Sequence, residues 1–524
     1  AIERGLREGS VRAVAATNAL ELGIDIGGMD AALLVGYPGT IASAWQQSGR
    51  AGRGMDPALA LLVATADPLD QFLAAHPQYF FERSPEHALM DPDNLLVLLG
   101  HLRCAAFELP FSAGERYGQL DPQRLEEFLD FLEQDGALHH SGPKYFWIAD
   151  AYPAQALSLR SASAETIALQ VGRFDDPPAA SEAQTIGTID YASALWMVHP
   201  QAIYLHEAQQ YLVEALDLEE RIARLRPSDA DYYTQPRRQT QVALVEQHAQ
   251  ASERGALHAH GELQVTTQVV GYQKVRWHTH EVLAVEPLAL PATELLTTGY
   301  WLALDEASVE ALRQEGLWRG DPNDYGPAWP EIRRRARQRD EFRCQVCGAP
   351  EAGREHDVHH KVPFRLFAAS AQANQLDNLV TLCHDCHMRA EAAVRVRSGL
   401  SGLAYALGHL APFFLMCDVE DLGVHHDPQA AFAGGRPAVA IYDHAPGGIG
   451  LSTRLFELHA GLLQRALELV RACPCTDGCP SCTGPGGQGL GAPTQEAAFG
   501  GKAETLAILE RLVQPGGAGD RLDS

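Results

Sequence analysis

The sequence contains no apolar run of the about eighteen residues that a membrane-spanning helix needs. It also lacks a surplus of positive charge, because 41 Lys and Arg stand against 67 Asp and Glu, a formal net charge of −26. Phosphate backbones are bound by basic surfaces. This balance excludes a protein that coats nucleic acid indiscriminately, and any DNA contact must be local. No initiator Met and no signal peptide opens the sequence, so we expect it to begin inside a domain.

Cysteine is scarce, but eight of the ten cysteines fall into two tight groups, with Cys104 and Cys417 apart. Grouped thiols in a long chain without a secretion signal indicate metal sites in a reducing cytoplasm rather than disulfides. The length of 524 residues predicts three or four domains. The two groups are Cys344, Cys347, Cys383, Cys386 and Cys473, Cys475, Cys479, Cys482.

The apolar periodicity predicts an α/β multidomain protein. Residues 11–18 and 31–36 are short apolar runs typical of buried parallel strands. An amphipathic helix is predicted to follow Asp121 as its N-cap, with Pro122 in the first turn and Gly136 at its end. A ribbon over 137–148 follows, and helix then ribbon is the order of a winged helix, though other folds share it.

The second half of the sequence alternates between strand and helix signals. Residues 186–305 carry β-branched, alternating stretches that predict a β-rich domain. Residues 399–416 and 451–472 are predicted to be helical, and the Gly- and Pro-rich stretch 484–500 is predicted to be a loop.

Two motifs near the start point to a nucleic-acid motor. Residues 15–26 (AATNALELGIDI) and 46–53 (QQSGRAGR) resemble motifs V and VI of superfamily 2 helicases. A GRAGR pentapeptide alone is more often a basic loop, but the upstream motif in the right order favours the motor. Arginine forks are suited to a γ-phosphate that gains negative charge. The resemblance implies Thr17 as a DNA contact, nucleotide contacts from Gly23, Asp25 and Gln46, and arginine fingers at Arg50 and Arg53.

No Gly-rich loop ending in Gly-Lys-Ser/Thr and no Asp-Glu-x-His box occurs in the sequence. The Gly500-Gly501-Lys502-Ala503 stretch lacks the hydroxyl that binds magnesium. We therefore expect ATP with Mg²⁺ to serve only an intact protein that also contains an ATP-binding lobe.

Further motifs resemble the MrfA-type helicases over nearly the whole chain except 321–397. They include Asp67-Pro68-Leu69-Asp70-Gln71, Tyr232-Tyr233-Thr234 and Pro446-Gly447-Gly448-Ile449-Gly450. The resemblance implies 3′→5′ translocation on DNA, a role in DNA repair, and winged-helix and zinc-binding domains. A partner nuclease or repair protein is a further expected partner.

The C-terminal thiol group, with spacing Cys-x-Cys-x3-Cys-x2-Cys, is compact enough to wrap one tetrahedral Zn²⁺. It resembles the four-cysteine site of the MrfA zinc-binding domain. Four thiolates leave no open position on the metal, so we expect a structural role.

The other group consists of two Cys-x2-Cys knuckles that flank Val358-His359-His360-Lys361 and Asn378. The whole resembles an HNH endonuclease finger with its own structural Zn²⁺. The resemblance implies that His359 and His387 bind a catalytic Mg²⁺ or Mn²⁺ and that His360 is the general base. Asn378 would fix the loop or complete the metal shell. His384, between the knuckles, is expected to be a bystander or an outer-shell residue.

The arginine-rich stretch before the first knuckle is the most basic part of the acidic chain, and Arg333, Arg334 and Arg335 are predicted to contact DNA phosphates. An alternative is a zinc-stapled module that binds DNA without cutting it. A helicase–nuclease of an anti-phage defence system is a further alternative, because it would contain the same motifs as a repair helicase.

Five segments are predicted: a part of the second RecA-like lobe, a connector with a winged helix, a β-rich domain, an HNH insert, and a helical zinc-binding part. Their bounds are 1–68, 69–155, 156–320, 321–397 and 398–524.

Overall fold

The structure is a computed structural model, and its description covers most of the chain. The described residues are 2–18, 21, 29–52, 57–82, 84–85, 94–157, 165–172, 184–279, 281–318, 325–351, 354–361, 370–383, 386–387, 399–484 and 501–513.

The first elements form a small parallel α/β unit: α1 (Ile2–Arg7), β1 (Ala31–Val35), α2 (Ile41–Ser48) and β2 (Leu59–Val63). β1 and β2 pair in parallel, with Ala31 opposite Leu59. The strand predicted at 31–36 is therefore confirmed. Its predicted burial is wrong, because Leu33 and Val35 are 65% and 79% exposed and β2 is its only neighbour in the described residues.

The strand predicted over 11–18 is wrong. These residues form no strand and are mostly exposed. An apolar run becomes a buried strand only when a neighbouring strand pairs with it and a second layer covers it. No described strand pairs with 11–18, whereas β2, which was not predicted, pairs with β1.

Two short helices, α3 (Pro68–Ala75) and α4 (Gln78–Phe81), connect this unit to the rest of the chain. Asp67 caps α3 by accepting a hydrogen bond from the Leu69 amide. Phe72 of α3 is buried and makes an edge contact with Phe413, at a centroid distance of 5.6 Å. The connector is thus anchored in the core that the C-terminal helices build.

The next elements are α5 (Leu95–Glu108), β3 (Phe111–Ser112), α6 (Pro122–Gln134), β4 (Leu138–Ser141) and β5 (Lys144–Trp147). The predicted α6 is confirmed, because the Asp121 carboxylate accepts a hydrogen bond from the Arg124 amide at 3.0 Å. Gly136 ends the turn after the helix with a φ of +77°, which only glycine adopts without strain. The antiparallel sheet order is β3-β5-β4, and helix with ribbon makes the winged helix.

The β-rich prediction is confirmed by two sheets. The first has the order β7-β6-β10-β9-β8 and packs against the helix α7. Its elements are β6 (Thr166–Val171), β7 (Gln184–Asp190), α7 (Tyr191–Met197), β8 (Ile203–His206), β9 (Gln209–Asp217) and β10 (Ile222–Pro227).

The second sheet joins segments that lie on both sides of 321–397 in the sequence. Its elements are β11 (Tyr232–Glu253), β12 (Ala256–Arg276), β13 (Val282–Pro287), β14 (Ala292–Leu304), β17 (Leu422–Ala430) and β18 (Arg436–Asp443). The order is β11-β12-β14-β18-β17, with β13 on β12. Because β14 pairs with β18, the cysteine-bearing segment leaves from and returns to one continuous fold.

That cysteine-bearing segment contributes the helix α9 (Trp329–Arg339), the strands β15 (Asp357–His360) and β16 (Leu379–Leu382), and the short helix α10 (Ser370–Ala373). β15 and β16 form an antiparallel hairpin, against which α9 packs through Ala336.

A helical layer covers the second sheet and encloses the largest core. Its helices are α8 (Glu306–Gln314), α11 (Gly399–Leu415), α12 (Leu451–Ala472) and α13 (Lys502–Val513). The helices predicted at 399–416 and 451–472 are confirmed. The predicted loop 484–500 lies outside the described residues apart from Gly484. Among the helices that the structure describes, none combines the length and apolarity required to span a bilayer.

Candidate functional site

The β15–β16 hairpin positions the histidines that sequence analysis singled out. His359 lies opposite Val380 and His360 opposite Leu379. Side chains alternate across a strand, so Asp357 and His359 share one face of β15 while Val358 and His360 share the other. The burial follows this pattern, because Val358 and His360 are buried and Asp357 and His359 are half-buried.

The half-buried face carries the two predicted ligands of the catalytic metal. The His359 and His387 rings lie edge to face, with centroids 5.3 Å apart. Asp357 Oδ2 lies 3.7 Å from His387 Nδ1. Sequence analysis missed this carboxylate, although its two-residue spacing from His359 places it on the same face of a strand.

His360 lies on the opposite face in an aromatic enclosure. Its side chain is 7% exposed, and its ring stacks near Tyr325 and Trp329 at centroid distances of 5.4 and 5.2 Å. His360 Nε2 lies 3.0 Å from Asn374 Oδ1. Burial lowers the pKa of His360, more than the Asn374 hydrogen bond raises it, so the imidazole is neutral near pH 7. Sequence analysis did not identify Asn374.

Asn378 bridges the two ends of the loop between β15 and β16. Its Nδ2 donates to the Ala373 carbonyl at 2.9 Å, and its own carbonyl accepts from the Lys361 amide at 2.7 Å. These two contacts connect Asn378 to both Ala373 and Lys361 within the loop.

The first cysteine quartet lies beside the hairpin. Its four Sγ atoms fall within 4.8 Å of one another, and Cys347 Sγ lies 3.7 Å from Cys383 Sγ. Tetrahedral zinc with bonds of about 2.3 Å holds its sulfurs about 3.8 Å apart, whereas a disulfide needs about 2 Å. The Cys347 amide also points at Cys344 Sγ, at 3.5 Å. The quartet therefore fits one Zn²⁺.

The second quartet has the same geometry at the end of α12. Its neighbouring Sγ atoms are 3.4 to 3.7 Å apart. Lys502, buried at the start of α13, donates through Nζ to the Cys473 and Cys475 carbonyls at 2.6 and 2.7 Å. The glycine-lysine stretch that resembles an incomplete phosphate loop thus contacts the second zinc site. Sequence analysis assigned it no role.

Most arginines of α9 are paired within the protein. Arg333 donates to the His356 carbonyl at 3.3 Å, and Arg334 forms an exposed bidentate pair with Glu331. Arg335 is exposed and makes no hydrogen bond or ion pair with the described part of the chain. Of the three arginines predicted to bind DNA, Arg335 could therefore bind a phosphate without first breaking a hydrogen bond or ion pair within the described part of the chain.

Arg337 of the same helix is buried, and its Nε and Nη2 each donate to the Glu351 carboxylate at 2.7 Å. Its Nη1 lies 2.8 Å from the Glu355 carboxylate. The hydrogen bonds that Arg337 donates to the Glu351 carboxylate raise the pKa of Arg337, so this pair stays ionised. It ties α9 to the chain segment that follows the first knuckle.

In the motor motifs, Glu21 lies against the helix α2. The Arg50 guanidinium donates to the Glu21 carbonyl oxygen, and the Glu21 carboxylate accepts from Ser43 Oγ at 2.8 Å and Gln47 Nε2 at 3.2 Å. Thr17 and Gln46 are exposed. Sequence analysis missed the linking role of Glu21. The remaining candidates Gly23, Asp25, Arg53 and His384 lie outside the described residues.

Four family models match successive parts of the chain. The helicase conserved C-terminal domain matches 1–55, and the winged helix domain of ATP-dependent helicase HRQ1 matches 90–162. The HNH endonuclease model matches 344–392, and the MrfA Zn-binding domain matches 403–483.

Known proteins resemble the chain over nearly its whole length. The uncharacterized ATP-dependent helicase YprA of Bacillus subtilis is 34% identical over 98% of this chain and 55% of its own. ATP-dependent helicase HRQ1 of Saccharomyces cerevisiae is 27% identical over 92% of this chain and 38% of its own. The chain thus spans about half or less of these relatives.

A crystal structure of the DUF1998 helicase MrfA bound to DNA superposes with a TM-score of 0.53 at 32% identity, over 97% of this chain and 55% of that one. A second, bound to DNA and AMPPNP, gives a TM-score of 0.52 at 31% identity, over 97% and 54%. The matched segments, the relatives and the shared fold make this chain similar to the MrfA-like helicases of superfamily 2 over nearly its whole length, with segments that match the MrfA Zn-binding domain and the HNH endonuclease model.

Proposed function

We propose that this chain is the C-terminal part of an ATP-dependent DNA helicase or translocase and that its HNH module cuts DNA with a divalent metal. The nuclease proposal depends on one observation: His359, His387 and Asp357 lie close together on one side of the β15–β16 hairpin. The first cysteine quartet lies beside this hairpin. Imidazole nitrogens beside a carboxylate suit a divalent ion.

His359 and His387 would hold the catalytic Mg²⁺ or Mn²⁺, which supplies charge stabilisation to the phosphate and to the leaving oxygen. Asp357 faces His387 Nδ1 and would orient that ring so that its other nitrogen binds the metal. His360 would take a proton from the attacking water, for which a neutral imidazole is needed. Asn378 would hold the loop that joins β15 to β16.

The motor residues would act together with an ATP-binding lobe. Arg50 and Arg53 would serve as arginine fingers, Gly23, Asp25 and Gln46 would contact the nucleotide, and Thr17 would contact DNA. One solved MrfA helicase structure is bound to DNA and another to DNA and AMPPNP, which supports DNA and ATP as partners. We propose 3′→5′ movement and a role in DNA repair, in which the motor moves DNA past the nuclease.

A second candidate is a zinc-stabilised module that binds DNA without cutting it. The observation that favours it is the enclosure of His360, which is 7% exposed and lies on the face opposite His359. In that case Arg335 and its neighbours would provide phosphate contacts, and a partner nuclease would cut.

Nicking of supercoiled plasmid by the 524-residue chain, with Mg²⁺, Mn²⁺ or neither, separates the two candidates. We expect metal-dependent nicking that His359→Ala reduces and that raised metal partly restores. His360→Ala should abolish nicking while DNA affinity and zinc content stay unchanged, because a base acts in the transition state. Parent protein that never nicks with either metal favours the binding module. Equal nicking by the parent and His360→Ala points to a contaminating nuclease or another base.

A further inference from the structure

We propose that Asp70 is a positioning residue that couples the motor motifs to the zinc-binding domain, so that movement of the helix α2 is transmitted through α3 to the helical core. The helical core is the one that α11, α12 and α13 enclose. The Asp67-Pro68-Leu69-Asp70-Gln71 motif thereby receives a mechanical role. This inference rests on the motor function proposed above, and it concerns how that motor moves the rest of the chain.

Asp70 holds the two chain segments that leave the parallel sheet. Its side chain is 3% exposed, and its Oδ1 accepts a hydrogen bond from the Tyr37 amide at 2.9 Å and its Oδ2 one from the Thr65 amide at 2.7 Å. Tyr37 follows the end of β1, and Thr65 follows the end of β2. Hydrogen bonds to a charged acceptor are about twice as strong as neutral ones, and water competes little at a buried position. One carboxylate therefore fixes both loops at this edge of the sheet to α3.

The helix α3 is in turn anchored in the helical core. Phe72 and Leu73 are buried there, and the Phe72 ring makes an edge contact with Phe413 of α11 at a centroid distance of 5.6 Å. At the start of α3, Asp67 Oδ2 lies 3.7 Å from Nε2 of His409, which also belongs to α11. Because packed side chains have few alternative arrangements, α3 cannot shift without either moving α11 or leaving the core.

The loop that Asp70 holds after β1 leads directly into α2. Thr40 ends this loop and caps α2 by accepting a hydrogen bond from the Ser43 amide at 3.0 Å. Arg50, the proposed arginine finger, follows the end of α2. Tyr37 also packs against the edge of the helical core. A continuous path of contacts thus runs from Arg50 through α2, Tyr37 and Asp70 to α3.

The coupling places the HNH module on the same moving body. The helical core includes Tyr300 of β14 and Ile441 of β18, the paired strands between which the module is inserted. Coupling between distant positions is transmitted by such chains of packed side chains and hydrogen bonds. A force that the nucleotide exerts on Arg50 therefore moves the zinc-binding domain and its inserted module together with α2.

Hydrogen exchange of the 524-residue chain, read by mass spectrometry with fragmentation to single amides, tests the contacts of Asp70. Asp70→Ala should speed exchange of the Tyr37 and Thr65 amides by about ten- to a hundredfold, because each amide loses a hydrogen bond to a charged group. Asp121→Ala removes the matched capping carboxylate of α6 and should leave both amides unchanged. Unchanged exchange of both amides in Asp70→Ala would overturn the proposal.

A double-mutant cycle separates coupling from local stabilisation of the two loops. Phe413→Leu perturbs α3 through Phe72, and the readout is the Ala44 amide of α2, which donates to the Thr40 carbonyl at 3.1 Å. Phe413→Leu alone should speed exchange of the Ala44 amide. In the Asp70→Ala background this effect should be smaller by about fivefold or more, within the range of interaction energies between coupled residues. Equal effects in the two backgrounds, or no effect of Phe413→Leu alone, would overturn the coupling.

Asp70→Asn takes the place of Asp70→Ala in the cycle if Asp70→Ala fails to fold. The asparagine amide keeps an oxygen for one backbone amide and turns its NH₂ toward the other, so one loop is released and the effect of Phe413→Leu should still shrink. An effect as large as in the parent background would overturn the proposal. The cycle needs neither ATP nor DNA, so its failure leaves the motor function intact. Absence of ATP hydrolysis by the chain together with its ATP-binding lobe would contradict the motor function instead.

Discussion

Lys502 Nζ donates a hydrogen bond of 2.6 Å to the carbonyl oxygen of Cys473, the first ligand of the C-terminal quartet. Lys502 is 9% exposed, so its charge sits in a poorly solvated position. A zinc ion with four thiolates carries a net charge of −2, and a buried ammonium beside it offsets that charge. The contact therefore links the start of α13 to the stability of the zinc site.

Lys502→Met should release zinc from this site faster, because it removes two hydrogen bonds and the compensating charge. Outer-shell partners of metal ligands contribute about ten- to a hundredfold to metal affinity, and we expect an effect near the lower end. The measurement is zinc transfer to a coloured chelator over time. Lys144→Met, in the exposed ribbon of the winged helix, is the control. Equal release rates for Lys502→Met and the parent would remove Lys502 from the site.

Elemental analysis should find two zinc ions per chain, one for each quartet. Cys479→Ser and Cys347→Ser should each retain about one zinc, because three thiolates rarely hold a structural zinc against solution. Cys479→Ser should also lower the stability of the helical core, into which the second quartet packs. Cys347→Ser should spare that core and disrupt the HNH hairpin. Cys104→Ser, outside both quartets, should keep both ions, and a third ion in the parent would reveal a further tight site.

The core of the zinc-binding domain should weaken in mild acid because of His459. This side chain is buried, its Nδ1 and the Tyr300 hydroxyl form a hydrogen bond of 2.6 Å, and its ring stacks on His258 at 3.9 Å. Burial, with the nearby His258 charge second, lowers the pKa of His459 to about 4. The unfolded chain, with a histidine pKa of about 6.5, binds the proton more readily. The contribution of His459 to the free energy of unfolding is therefore fully present above about pH 6.5 and is lost as the pH falls toward 4.

The pKa of His459 differs by about 2.5 between the unfolded and the folded chain. The free energy of unfolding should therefore fall by about 3 kcal/mol at most between neutral pH and about pH 4. Urea unfolding of the parent and of His459→Gln, at neutral pH and near pH 5, measures it. His459→Gln keeps a hydrogen-bonding side chain that does not ionise, so its stability should fall less with pH. His139→Gln, exposed in the winged helix, should follow the parent. A parent and His459→Gln with the same pH dependence would contradict the assignment.

Features with a local cause were predictable from the sequence. Asp121 and Gly136 bound α6 because a side-chain cap and a positive φ act within a few residues. The spacing of the cysteines in each quartet likewise predicted a zinc site. By contrast, the strand expected at 11–18 failed because periodicity measures amphipathic character and not the presence of a neighbouring strand.

The residues that sequence analysis missed act across longer separations. Lys502 reaches Cys473 across 29 residues, and Asn374 reaches His360 across 14 and Tyr325 across 49. No spacing rule connects such positions, because the fold decides which of them meet. The same holds for the charges of the arginine-rich helix α9. The number of arginines in the sequence does not reveal that one of them, Arg337, is paired with Glu351.

Arg337→Met should destabilise the HNH module far more than Arg334→Met, although both remove a bidentate arginine–glutamate pair from the same helix. The Arg337 side chain is 9% exposed and that of Glu351 18%, so the change leaves a carboxylate uncompensated in a poorly solvated place. Breaking such a pair costs about 3 to 5 kcal/mol. The exposed Arg334–Glu331 pair contributes little to stability, because water solvates both of its charges. Proteolysis within 325–361 in increasing urea, with zinc content measured in parallel, compares the two variants. Similar protection of both would mean that water reaches Glu351 and that α9 is held by its apolar face alone.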